Sequence, residues 1–143
     1  YMGMEKDVKE NYEELIEKYD DNRPKFFLAK FYFDKDEYEK AIPIYEELIK
    51  NKTEFEMESW EQIRNAFINM TLIGTINSAT TYFDELLNEN ENNIIALYHK
   101  GKIIEDENYE EAIKYFVKAT NIKAKNEIEE KHQELCHYEL RGC

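Results

Sequence analysis

Glycine and proline are scarce in this chain, with four of one and two of the other among 143 residues. A sandwich or barrel of many strands needs those residues at its reversals, so the shortage argues against one and favours helices. Cysteine is nearly absent. Its two copies, Cys136 and Cys143, sit at the C-terminus, where a bridge between them would lock almost nothing of the fold. Without a disulfide framework the chain reads as intracellular and reduced, with a cytoplasmic location expected. Basic residues are in deficit, 19 against 32 acidic for a net charge of −13. A nucleic-acid phosphate backbone and an anionic membrane surface are both disfavoured as ligands. No run approaches the ~20 consecutive apolar residues of a membrane span, and no basic stretch leads into an apolar one as in a signal peptide. A chain that begins at Tyr1 reads as a processed form or an excised segment, from which a localisation signal can have been lost.

What the chain does have is apolar and aromatic surface, 42% and 14% of its residues. That is enough to bury a core in one domain, 1–143, without metal or disulfide. The segment Asp36-Glu37-Tyr38-Glu39-Lys40-Ala41-Ile42 recurs as Glu107-Asn108-Tyr109-Glu110-Glu111-Ala112-Ile113, with tyrosine and alanine three apart in both. Apolar residues then continue at helical spacing, as Ile42, Tyr45, Leu48 and Ile49 in one copy and Ile113, Phe116, Val117 and Thr120 in the other. A weaker copy opens at Ala79 with Tyr82, Phe83, Leu86 and Leu87. The three alanines are 38 and 33 residues apart, bracketing the period of about 34 residues of a helix-turn-helix array.

Each of these helices has an apolar-periodic partner upstream: Phe27, Leu28, Phe31 and Tyr32; Trp60, Ile63, Phe67 and Met70; Ile94, Leu97, Ile103 and Ile104. The expected organisation is an N-terminal helix over 4–20 and pairs over 22–52, 55–90 and 93–122. A covering helix over 124–140 follows, with Ile128, His132, Leu135, Tyr138 and Leu140 on its apolar side. Asp20 to Arg23 and Asn88 to Asn93 are polar breaks before the first and third pairs, and Pro24 suits a helix's first turn. Pro43 falls inside its helix, where a kink without a break is expected.

With Leu28, Ala29, Tyr32, Tyr38, Ala41 and Tyr45 in the first pair, and Leu97, Gly101, Ile104, Tyr109, Ala112, Phe116 and Ala119 in the third, the chain resembles the tetratricopeptide repeat family. Gly101, Ala29, Ala41 and Ala112 are the small residues that let backbones approach. The middle pair fits less well: Arg64 stands where a small residue belongs, and about three extra residues precede Ala79. The resemblance implies an all-α, α-α superhelix: a short solenoid of about three pairs with flanking helices. It implies a protein or peptide partner held in a concave groove of first helices, here Phe26, Lys30 and Phe33, then Glu61 and Asn65, then Tyr98, Lys102 and Glu105. Phe26 and Tyr98 serve either that groove or the packing between helices. The branch of the family that clamps chaperone-tail carboxylates is not implied, because Phe26, Lys30, Ile95 and His99 stand where its lysines, asparagine and basic residues belong.

No phosphate-binding glycine loop, nucleophile elbow or paired cysteine motif is present, so neither an enzyme nor a cofactor is expected. His132 and Cys136, four apart on one helix face, are the only weak metal candidates. Together with His137 and Cys143 they match no familiar zinc spacing, and a covering helix with a buried cysteine and half-exposed histidines is the preferred reading. Two further functions stay open: an acidic inhibitor or immunity-type protein covering a basic enzyme or toxin, suggested by the net charge, and self-association through the end helices.

Overall fold

The computed structural model describes the backbone of residues 2–142 and the side chains of residues 6–142. Among them are eight α-helices and no strand: α1 (Met2–Lys18), α2 (Arg23–Asp34), α3 (Tyr38–Lys50), α4 (Glu56–Leu72), α5 (Thr81–Glu89), α6 (Ile94–Ile104), α7 (Tyr109–Thr120) and α8 (Glu127–Arg141). The fold is all-α and built of helix pairs, as the periodicity and the resemblance imply. Two compact units, residues 1–66 and 67–143, part within α4.

In the first unit α2 packs on α1 and on α3. Leu28, Ala29 and Tyr32 of α2 meet Tyr38, Ala41, Ile42, Tyr45 and Leu48 of α3 in the core. Ala29 and Ala41 are fully covered, as residues at a close backbone approach should be. Pro24 lies in the first turn of α2, where its missing N–H leaves no bond unmade. α3 runs through Pro43 unbroken. α1 has an apolar face, on which Val8, Leu15 and Tyr19 stay exposed while Tyr12 and Ile16 are half-buried.

Helices α2, α3 and α4 end alike. After α2, Glu37 N–H donates to Tyr32 O and Asp36 N–H to Phe33 O; after α3, Thr53 N–H donates to Leu48 O and Lys52 N–H to Ile49 O. After α4, Thr75 N–H donates to Met70 O and Gly74 N–H to Thr71 O. These are Schellman stops, which need a left-handed residue. Asp36, Lys52 and Gly74 supply it at φ 61, 52 and 82°.

In the second unit α6 packs on α5, α7 and α8, and α8 also packs on α7. The core holds Ile94, Leu97, Tyr98, Ala112, Phe116, Ala119 and Cys136. A Cβ on Gly101 would lie 2.6 Å from Phe116 Cε1, so the absence of a side chain there lets α6 and α7 close. Each of α6, α7 and α8 is capped by asparagine: Asn93, Asn108 and Asn126 accept from the N–H of Ala96, Glu111 and Glu129 at 3.0, 3.1 and 2.9 Å.

The inner line of α8 differs from expectation. His132 and Cys136 are buried with Ile128 and Leu140 beside them, whereas Leu135 and Tyr138 are 36% and 71% exposed. A strict spacing of four faces the crevice between α6 and α7, and Gln133 bonds from the next position to the Ala119 and Ile122 carbonyls at the end of α7. Val117 and Tyr109 of α7 likewise point outward, while Phe116 fills the core.

The middle pair departs most from the repeat pattern. α4 has 17 residues against 12 and 11 in α2 and α6, and α5 only nine. Phe67 at the end of α4 stacks on Tyr82 of α5 at 4.8 Å.

Candidate partner-binding surface

Phe26, Lys30 and Phe33 recur at four and three residues along α2, on a different side of it from the core residues Leu28, Ala29 and Tyr32. Lys30 is exposed between two half-buried rings. Phe26 stacks on Phe55 at 4.4 Å and meets Tyr45 edge-on at 6.0 Å. Phe33 meets Tyr38 edge-on at 5.2 Å. Both rings are therefore held in place by neighbours and still reach the surface. On α4, Glu61 is exposed and Asn65 half-buried, one turn apart. One side of α2 thus offers aromatic surface and an ammonium. The α4 residues add a carboxylate and an amide that can pair with a peptide backbone.

The second unit places its two groove residues differently. Tyr98 is 6% exposed and is a core residue. Its ring sits 6.0 Å from Phe116 and 5.6 Å from His132, because α8 lies over the side of α6 that carries it. Lys102 is held between Glu105 at 2.8 Å and Glu139 at 3.0 Å. Burial pulls its pKa down, but the hydrogen bonds and charges of these two carboxylates hold the ammonium above its ordinary range. Its charge is already answered within the chain.

His132 is fully buried, which differs from the half-exposed histidine expected of a covering helix. Its Nδ1 lies 2.8 Å from Ile128 O and so carries the proton, since a carbonyl only accepts. Its Nε2 lies 3.1 Å from Nε2 of His99. With both rings neutral, His99 Nε2–H donates to His132 Nε2. His99, buried and stacked on Phe83 at 5.3 Å, was not anticipated as a partner; the two histidines are 33 residues apart, and only burial brings them together. Cys136 is also buried, and burial, aided by the Glu139 charge, pushes its thiol up to about 12. His137 is exposed and Cys143 lies outside the described residues. Among the described residues no three histidine, cysteine or acidic side chains converge as metal ligands would.

Among the described residues no helix is long and apolar enough to cross a membrane. No curated protein and no solved structure matches the chain. The family model for the tetratricopeptide repeat matches residues 23–54 and 96–126. These stretches hold the pairs α2–α3 and α6–α7, in which Ala29, Ala41, Gly101 and Ala112 occupy the close approaches; the irregular middle pair lies outside both. These two helix pairs are thus tetratricopeptide repeats within the chain.

Proposed function

We propose that this chain is a non-enzymatic scaffold that holds a peptide or helix of a partner protein against the α2 face of Phe26, Lys30 and Phe33, with Glu61 and Asn65 of α4 taking part. Tetratricopeptide repeats are in general protein-binding modules, and the observation that carries the finer reading is the exposed Lys30 between two supported aromatic rings. Rings fixed before binding lose little side-chain freedom when a partner arrives, which favours affinity.

Affinity capture from the native cell's lysate tests this. Wild-type chain is compared with a Phe26→Ala/Lys30→Ala/Asn65→Ala variant whose helicity and thermal midpoint are checked first. A partner held by the wild type and lost by the folded variant supports the α2 face; equal retention by both removes it. The inhibitor reading makes the opposite prediction, in which binding falls steeply with salt and responds to charge reversal rather than to these three changes.

A further inference from the structure

From the groove between α1 and α2 we infer a second binding site, for a cationic amphipathic helix of a protein partner. This site uses the side of α2 that carries Phe27 and faces α1, and adjoins the other α2 face where the Phe27 ring meets Phe26 edge-on at 6.0 Å. The groove encloses about 610 Å³, with Tyr12, Leu15, Tyr19, Pro24 and Phe27 as its apolar lining and Asp20, Asp21 and Arg23 at one end. Leu15, Tyr19 and Phe27 are 40%, 52% and 45% exposed. Val8 extends the line, so apolar side chains recur from Val8 to Tyr19, just past the end of α1, eleven steps or about 16 Å at the helical rise. That length matches three to four turns of an incoming helix laid along the groove.

Two observations define the occupant. The chain itself covers the α6–α7 pair with an amphipathic helix, α8, which inserts a four-spaced line between the two; the α1–α2 pair offers the same kind of crevice uncovered. Charge selects the sign. Residues 5–21 carry eight acidic and three basic side chains. Arg23 is committed to Asp21, with its Nε 2.9 Å from Oδ2, which leaves the exposed Asp20 carboxylate at the groove's end. A second copy of the chain would bring the same acidic segment against this one, and is disfavoured. An occupant with lysine or arginine beside its apolar stripe is favoured.

The test titrates the whole chain into three fluorescein-labelled peptides of fifteen residues, followed by anisotropy at physiological salt. One is an amphipathic helix of leucine and lysine, the second replaces lysine by glutamate, and the third permutes the first so that no apolar face forms. The first is expected to bind at least tenfold tighter than either of the others. Leu15→Glu and Phe27→Glu should each weaken it tenfold or more and Asp20→Lys several-fold, whereas Lys123→Glu, at an exposed position of the second unit, should leave it within twofold. The inference is overturned if the permuted peptide binds as well as the first, if the glutamate peptide does, or if Leu15→Glu and Phe27→Glu change nothing. It is also overturned if the free chain dimerises through Leu15 and Phe27, as light scattering across concentration would reveal. Asp20→Lys, at an exposed site outside the helices, keeps the test decisive if the other variants unfold.

Discussion

A methyl group on Gly101 would collide with the Phe116 ring, at 2.6 Å from Cε1 and 2.9 Å from Cζ. Alanine is the better helix former by about 1 kcal/mol, but overpacking a fixed aromatic costs about 1–3 kcal/mol. The clash wins, because Phe116 is fully enclosed and has no free side to move toward. We expect Gly101→Ala to lose up to about 2 kcal/mol in urea unfolding; a gain would mean that the ring yields. Cys136 supplies a pH dependence. Its thiol is held protonated up to about 12 in the fold, while in the unfolded chain it ionises near its ordinary value of about 8.5. The unfolded state therefore gives up its proton first, and the stabilising difference, complete below about 8.5, is lost as pH rises toward 12. Stability should fall by at most about 1.4 kcal/mol per pH unit in that window from this group alone. Tyr45 shifts the same way through burial and steepens the alkaline limb. Unfolding at pH 8 and pH 10.5, compared between wild type and Cys136→Ala, isolates the thiol. A wild-type limb no steeper than the variant's would show that the thiol ionises in the fold.

At the scale of elements, helix starts and helix stops were not equally legible. Asn93, Asn108 and Asn126 precede apolar-periodic runs and cap α6, α7 and α8 by direct bonds, so each start carries its own local chemistry. We expect Asn93→Ala and Asn126→Ala to cost about 1 kcal/mol apiece in chemical denaturation, and a loss below a few tenths would mean that water caps the helix equally well. The stops after α2 and α3 have no such mark, because Asp36 and Lys52 hold the left-handed conformation where glycine is customary. Lys52→Gly relieves that strain and should raise stability by about 0.5–1 kcal/mol; a loss would show that the lysine side chain has a role at the turn. The register of α8 was hidden for a different reason. Leu135 and Tyr138 are apolar and His132 is not, so hydrophobicity gives the outer pair too much weight, and the bonds to His99 and to the Ile128 carbonyl together make the histidine a core residue.

For the molecule as a whole, α4 is one unbroken helix from Glu56 to Leu72, although the two compact units part at residue 66. Helical arrays lose cooperativity where an interface between repeats is weak. We expect a single unfolding transition seen alike by circular dichroism and by fluorescence of Trp60, which lies on α4. Two transitions, or probes that disagree, would make the units independent and end the description of the chain as one domain.

The sequence alone determined the parts of this protein that depend on local pattern. Helical periodicity, the Tyr38–Ala41 and Tyr109–Ala112 repeat and the small residues at 29, 41, 101 and 112 are short-range signals, and they led to an all-α repeat fold and to its two tetratricopeptide repeats. The tertiary structure decided which surfaces remain available to a partner. Phe26, Phe33 and Tyr98 have the same apolar, aromatic character as residues, but Phe26 and Phe33 reach the surface of α2 while α8 closes over Tyr98. Exposure is a property of what packs on a side chain, and the residues that pack are set by contacts tens of positions away along the chain.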